Sequence, residues 1–226
     1  MKFFHTFFFM VLFSSSLWAY QSTEIKEFMN AESAECGSGV PLFSESEETP
    51  TVRNLLAWSL ARQTVGKTEK YRILSAELED DQNLEESDDI DLMLSAAELM
   101  FDIVYCSRLS EKISYGKKSK KLFERVLSLQ PDNVSAMLGL GIGFLHTPAI
   151  FGGSNEKALE WFLKAQAAAV EPYERYAADV WLSQYYFKID DEQNYRLFVD
   201  KAKTLFPNGY LLNQALERNE NERKPL

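Results

Sequence analysis

Histidine and cysteine are scarce in this sequence, which contains two of each among its 226 residues. One histidine, His5, lies in an apolar N-terminal stretch, so His146 is the single imidazole of the remaining chain. This scarcity excludes metal sites built from several histidines, and most acid–base mechanisms that need more than one imidazole. We therefore expect no metal and no cofactor, and we expect a function other than catalysis.

Basic residues are also in deficit. The chain has 24 lysines and arginines against 34 aspartates and glutamates, a formal net charge of −10. A chain of this charge binds nucleic acid poorly and is repelled by anionic membrane surfaces. The composition predicts no nucleic-acid partner.

Long apolar runs are missing except at the N-terminus. Lys2, the apolar run 7–13 and the small residues up to Ala19 have the organisation of a secretory signal peptide, residues 1–19. The run is shorter than the roughly 20 residues that span a bilayer. The first cysteine, Cys36, follows a glutamate far from this run, so we expect no lipid anchor. The sequence predicts an exported protein, periplasmic or secreted, without a stable membrane anchor after cleavage.

The two cysteines allow two interpretations. In an exported protein Cys36 and Cys106 could form a disulfide. Alternatively, Cys106 occupies an inward-facing helical position, where a free thiol behaves as a small hydrophobic group.

The sequence has no long stretch in which apolar and polar residues alternate with the period of two that is typical of a β-strand. Its apolar residues instead recur with helical spacing. The most informative stretch runs from Pro148 to Ala165. Gly152 and Gly153 lead into Ser154, a favourable helix N-cap residue. Beyond the cap, Ala158, Phe162 and Ala165 form a narrow stripe, and Pro172 follows. A small residue, an aromatic and a small residue at this spacing, followed by proline, are typical of the second helix of a tetratricopeptide repeat.

The same spacing occurs on both sides of this stretch, in Ser119, Phe123, Val126 and Pro131 and in Tyr195, Val199, Ala202 and Pro207. The closing prolines recur near the tetratricopeptide period of about 34 residues, with a longer middle unit. These patterns predict an all-α, tetratricopeptide-like α-solenoid of three to four helical hairpins, wound as a right-handed superhelix. The domain would span residues 50–216, with repeats at 100–133, 134–173 and 176–209.

The remaining segments were assigned by composition. Residues 20–49 predict a flexible linker with at most one helical turn near residues 25–29, and residues 217–226 a polar tail that frays. Tyr115 and Gly116 predict the break between the two helices of the first repeat. The acidic stretch 77–91 indicates either a calcium site or a solvated loop, and the loop is favoured because EF-hand spacing is missing.

Two further patterns have a catalytic and a structural interpretation. Gly139, Gly141 and Gly143 resemble a dinucleotide-binding loop only loosely, so we expect glycines that let helices approach closely. Cys106 and His146 could form a nucleophile–base dyad, but no orienting acid is evident, and core or loop positions are favoured.

The concave face of such a solenoid is lined by the first helix of each repeat. The repeat pattern predicts that this face consists of Phe101, Val104, Arg108, Ala136, Leu140, Val180, Gln184 and Phe187. These residues are mostly apolar. A face of this kind favours binding of an amphipathic helix, a terminal tail or a small apolar-bodied ligand. Packing of these side chains on neighbouring helices is the competing interpretation.

The insertion Pro148-x-x-Phe-Gly-Gly-Ser-x-Glu-Lys-Ala158, in an exported helical protein, resembles the T component of tripartite ATP-independent periplasmic (TRAP) transporters. The similarity covers about residues 50–215, and Gly152, Gly153 and Ala158 are its most specific part. The resemblance implies a periplasmic protein that associates with a solute-binding protein, and it leaves homo-oligomerisation open.

Two hypotheses about function follow. The first is a non-enzymatic scaffold that binds a protein partner, as an accessory component of a solute-uptake system. The alternative is a periplasmic carrier that holds a small apolar-bodied ligand between the first helices.

Overall fold

The computed structural model describes residues 20–40, 43, 49–78 and 84–226, so the predicted signal peptide and part of the predicted linker lie outside it. The described residues form ten α-helices and no β-strand, which confirms the all-α prediction. The helices are α1 (Thr23–Ala34), α2 (Pro50–Gln63), α3 (Lys67–Ala76), α4 (Ile90–Cys106), α5 (Leu109–Leu129), α6 (Val134–His146), α7 (Asn155–Ala168), α8 (Pro172–Lys188), α9 (Glu192–Leu205) and α10 (Tyr210–Glu222).

The helices pack in consecutive pairs, α2 with α3, α4 with α5, α6 with α7, and α8 with α9. Each even-numbered helix also contacts the next one, from α2 through α4, α6 and α8 to α10. The even-numbered helices therefore form one continuous row. No described helix is both long enough and apolar enough to cross a membrane.

Local sequence determines where several helices begin. The side chains of Asn133, Ser154 and Asp191 each accept a hydrogen bond from the backbone N–H three residues further on. Such N-caps satisfy a donor that has no partner inside the helix. The predicted stripe on α7 is fully buried, since Ala158 and Phe162 have no exposed surface. The helical periodicity in the sequence thus located the packed face correctly.

The first repeat breaks at a different place from the one predicted. The chain turns at Ser107 and Arg108, and α5 continues without interruption through Tyr115 and Gly116. The side chain of Glu111 accepts a hydrogen bond from the Arg108 backbone N–H at 3.0 Å, which caps α5. A glycine inside a helix lowers the stability of that helix by only about 1 kcal/mol relative to alanine. Burial of the apolar face of α5 stabilises the helix by more than this.

Part of the predicted linker is a packed helix. Helix α1 buries Ile25 and Phe28 and contacts α8 and α10, which are distant in sequence. The side chain of Asn30 accepts a hydrogen bond from the Tyr173 backbone N–H at 3.1 Å. The linker interpretation is wrong for residues 23–34, because the helices that bury α1 are not its neighbours in sequence.

The acidic stretch before α4 has a structural role in its described part. Glu85 pairs with Lys121 at 3.2 Å and Asp88 with Arg125 at 2.6 Å, which ties this segment to α5. Asp91 accepts hydrogen bonds from two backbone N–H groups that precede α1. Among the described residues, no three His, Cys, Asp or Glu side chains are placed to hold a metal ion.

The predicted polar tail is helical and folds back at its end. Helix α10 continues to Glu222, and the buried side-chain amides of Gln184 and Asn219 donate to each other at 3.1 and 2.9 Å. The Leu226 backbone N–H also donates to the Gln184 side chain, at 2.9 Å. Because one turn of α10 is tied to α8 in this way, the expectation of a frayed tail is wrong.

Candidate functional site

A cavity of about 440 Å³ lies between the even-numbered helices, and α1 and α3 complete its wall. The residues that dominate its surface are Trp58 and Arg62 of α2, Glu98, Phe101, Asp102 and Tyr105 of α4, Leu138 and Ile142 of α6, Tyr173, Ala177 and Trp181 of α8, and Tyr210 of α10. The wall is mostly apolar and aromatic, with a few charged groups. A volume and lining of this kind are typical of small-molecule sites.

Arg62 is held rigidly in this wall. Its guanidinium carbon lies 4.1 Å from the centre of the Trp58 ring and 4.3 Å from that of Tyr210. The Tyr210 hydroxyl also donates to the Arg62 backbone carbonyl at 3.0 Å. A cation over an aromatic face is stabilised by about 0.5–2 kcal/mol. Arg62 therefore places a fixed positive charge on the wall and joins α2 to α10, the two ends of the row.

Two carboxylates stand one turn apart on α4, Glu98 and Asp102. The Tyr20 hydroxyl donates to Glu98 Oε2 at 3.0 Å. Burial raises the pKa of Glu98 to about 7 and that of Asp102 to about 6, and the charge of Arg62 opposes both shifts. No described cation lies within ion-pair distance of either carboxylate. Both side chains therefore change charge close to neutral pH.

A row of ring side chains, Phe101, Tyr105, His146 and Trp181, lies beside the cavity near α6. The ring of Tyr105 meets Phe101 at 5.6 Å and His146 at 6.4 Å, and His146 meets Trp181 at 6.0 Å, all edge to face. Burial lowers the pKa of His146 to about 4, helped by the charges of Lys188 and Arg218. His146 is thus a neutral ring packed between aromatic side chains.

The structure does not assemble a nucleophile–base pair from Cys106 and His146. The Cys106 thiol donates to the backbone carbonyls of Asp102 and Ile103, at 3.6 and 3.5 Å, within its own helix. Burial raises the pKa of this thiol, so the protonated form is favoured. The alternative disulfide is also not formed, since Cys36 and Cys106 are both free, half-buried thiols.

Of the eight predicted concave-face residues, Phe101 is the one that lines the cavity. Ala136, Leu140 and Val180 are buried in the core between helices, and the Gln184 side chain is buried against Asn219. Val104 and Phe187 are half-buried, and Arg108 is exposed at the start of α5. Burial contradicts the assignment of Ala136, Leu140, Val180 and Gln184 to an open concave face. For Val104, Phe187 and Arg108, which do not line the cavity, the assignment stays a prediction.

The error has a simple geometric cause. On α8 the cavity is lined by Tyr173, Ala177 and Trp181, whereas Val180 and Gln184 lie on the adjoining face of the same helix. That adjoining face packs against α9 and α10. On α6 and α8 the repeat pattern therefore selected positions on a side that does not line the cavity, whereas on α4 it selected Phe101, which does.

Sequence reasoning missed the charged residues of the wall. Glu98 and Asp102 interrupt the mostly apolar second half of α4, and they lie beside the buried Leu99 and Ile103. Two acids four residues apart on such a helix would have been the detectable sign of a polar site. Trp58 and Arg62, four residues apart on α2, are a second local sign, whereas Tyr210 is distant in sequence and no local pattern links it to Arg62.

The glycine motif after α6 has a structural explanation. Gly152 has a φ of 94°, a conformation that glycine adopts without strain. A Cβ on Gly153 would lie 1.7 Å from the Thr147 carbonyl oxygen. The Ser154 backbone N–H donates to the Phe144 carbonyl at 3.1 Å. Gly152 and Gly153 thus permit a tight loop that returns the chain onto α6.

Comparison with known proteins finds no counterpart: no protein-family model, no curated protein and no solved structure matches the chain significantly.

Proposed function

We propose that this protein is an exported, tetratricopeptide-like α-solenoid that carries a small apolar-bodied molecule without transforming it. The stacking of consecutive helix pairs, with the even-numbered helices in one row, supports the solenoid. The observation that carries the functional proposal is the aromatic cavity of about 440 Å³ along that row.

The placement of α1 favours a small ligand over a peptide in this space. Helix α1 contacts α8 and α10, and its Met29 and Ser33 belong to the cavity wall. The N-terminal helix therefore occupies space on the inner side of the row that a partner helix would need. The remaining volume falls within the range of about 300–1,000 Å³ that small-molecule pockets show.

Filling the cavity should abolish ligand binding. Ala177 lines the cavity, so Ala177→Trp is expected to reduce the affinity for the uncharged apolar probe N-phenylnaphthylamine at least about tenfold. Probe fluorescence and native mass spectrometry of the purified chain measure this, and any co-purifying small molecule should be lost with the same substitution. Ala167→Trp, on the exposed face of α7, is the matched control. If wild type and both variants take up the probe equally, or if none does, the carrier proposal fails.

A second candidate function rests on the loop after α6. Ile150 and Phe151 are adjacent and are 85% and 73% exposed. Exposed apolar pairs on a tightly held loop are suited to contact a protein partner. On this proposal the loop docks a solute-binding protein, and the chain acts as an accessory component of a TRAP-like uptake system.

The double change Ile150→Ser and Phe151→Ser should abolish co-purification of a solute-binding protein, identified by mass spectrometry, from a periplasmic extract. Stability should change little, since both side chains are already exposed. The Ala177→Trp variant should keep this partner, because the cavity and the loop are separate sites. Recovery of the same solute-binding protein with the double variant would rule out this loop as the contact.

A further inference from the structure

The charged groups on the cavity wall differ in whether they have partners in the local structure. Arg218 forms an ion pair with Glu222 at 3.5 Å. The Glu174 carboxylate accepts hydrogen bonds from the Val170 and Glu171 backbone N–H groups, at 2.9 and 3.0 Å. These two charges belong to the local structure of α10 and α8.

Four charged groups remain in the centre, Arg62 and Lys70 with Glu98 and Asp102. Neither carboxylate forms an ion pair with a described cation. Lys67 and Lys70 stand on α3; Lys67 is exposed, and the field of Lys70 reaches Asp102 without an ion pair. A desolvated carboxylate without an ion-pair partner is costly, so this arrangement favours the arrival of one more positive charge.

A second observation, on α8, points to the same place. Tyr173 is 3% exposed and belongs to the cavity wall. Its buried hydroxyl oxygen has no partner in good hydrogen-bond geometry among the described residues, and the Tyr20 backbone N–H is a nearby donor that acts on it. The charge of Glu98 acts on this hydroxyl. Buried polar atoms in proteins rarely lack a partner, so this oxygen is a candidate acceptor for a ligand donor.

We propose that the ligand is an organic cation, an ammonium group on an aromatic or aliphatic body, with its charge placed at Glu98 and Asp102. The proposal rests on the carrier function above and names the ligand class of the same cavity. The ammonium donates hydrogen bonds to the two carboxylates and to the Tyr173 hydroxyl oxygen. The apolar body contacts the rings of Phe101 and Trp181, which line the same cavity.

Arg62 supports this assignment and does not compete with it. Its two faces are covered by Trp58 and Tyr210, so it stays in place when the cavity fills. Its charge lowers the pKa of both carboxylates but forms no ion pair with either, so a bound cation can contact them directly. A carboxylate ligand, by contrast, would add a third negative charge near Glu98 and Asp102.

Three probes with one body and different head groups test the proposal: phenylbutylamine, phenylbutanamide and phenylbutyrate. Binding to the full chain is measured by calorimetry at about pH 8. The amine should bind at least about tenfold more tightly than the amide, the gain expected from one charge-assisted contact. Phenylbutyrate should bind more weakly than the amide. An acid that binds more tightly than the amine, or three equal affinities, would overturn the inference.

The variant Glu98→Gln/Asp102→Asn should remove the preference for the amine and keep binding of the amide. Both substitutions retain a side-chain oxygen that can accept a hydrogen bond. At position 98 this oxygen can still accept from the Tyr20 hydroxyl, and at position 102 from the Trp58 indole N–H. Glu160→Gln, in an exposed pair with Lys164, is the control and should keep the preference. If the double variant fails to fold by circular dichroism, the order of the three probes on the wild-type chain still decides.

Amine affinity should rise with pH between about 5 and 8. The cation binds the ionised carboxylates, so bound protons must leave, and the pKa values near 7 and 6 set the range. The titratable and charged groups around the two carboxylates are Tyr20, Arg62, Lys70, Tyr105, Cys106, Tyr173 and Tyr210. A pH-independent affinity would contradict the assignment. If even the neutral amide and N-phenylnaphthylamine fail to bind, the carrier function itself is wrong.

Discussion

Replacing Gly139 with alanine should lower the free energy of unfolding by about 3 kcal/mol, and Gly141→Ala should act similarly. A Cβ at Gly139 would lie 2.3 Å from Cε2 of Phe123, and one at Gly141 would lie 2.5 Å from Cε1 of Phe162. Both rings are buried, at 2% and 0% exposure, so neither can move aside without displacing its helix.

Gly143 provides the control on the same helix. No atom lies within 4 Å of a Cβ built at this position. Gly143→Ala should therefore raise the free energy of unfolding by about 0.5–1 kcal/mol, the difference in helix propensity. Urea denaturation of the three single variants measures the expected loss of unfolding free energy at Gly139 and Gly141 and the expected gain at Gly143. Equal effects at all three positions would mean that α6 does not approach α5 and α7 as closely as described.

Gly153→Ala should lower the free energy of unfolding by a similar amount, roughly 3 kcal/mol. The new Cβ would collide with the Thr147 carbonyl oxygen, 1.7 Å away, and this backbone atom cannot rotate out of the way. The loop would have to open, which would also break the hydrogen bond from Ser154 N–H to the Phe144 carbonyl.

Gly152→Asn is the matched control for this loop. Gly152 has a positive φ of 94°, and a Cβ there would meet no atom within 4 Å. Asparagine tolerates positive φ better than other residues, so the cost should stay near 1 kcal/mol. Thermal unfolding of both variants distinguishes the two positions. If Gly152→Asn proves the more damaging change, backbone conformation rather than close contact is what the motif requires.

The repeat pattern predicted the second helices well for a physical reason. Their stripe of small, aromatic and small residues is a local consequence of helical periodicity and close packing, and Ala158, Phe162 and Ala165 are all fully buried. The same pattern could not orient the first helices, because Leu140 and Val180 are as apolar as true cavity residues. Which apolar face meets a neighbouring helix and which faces the cavity depends on how the helix pairs stack.

The candidate site shows the same division. Trp58 and Tyr210, which enclose Arg62, are distant in sequence, and Tyr20, which donates to Glu98, precedes the first helix. No short-range pattern links Tyr20 or Tyr210 to the site, although Trp58 and Arg62 are only four residues apart on α2. Two pairs of site residues lie one turn apart on a single helix, Glu98 with Asp102 and Trp58 with Arg62, and these pairs are the parts of the site that a local pattern indicates.

By itself the sequence determined the all-helical class, the beginnings of several helices and the buried stripes, because caps, glycines and periodicity act over a few residues. The tertiary structure alone decided that α1 packs against α8 and α10, that α10 meets α2, and that a cavity with Arg62, Glu98 and Asp102 lies between them. These arrangements depend on contacts between distant segments, and the burial that stabilises them exists only once the helices are assembled.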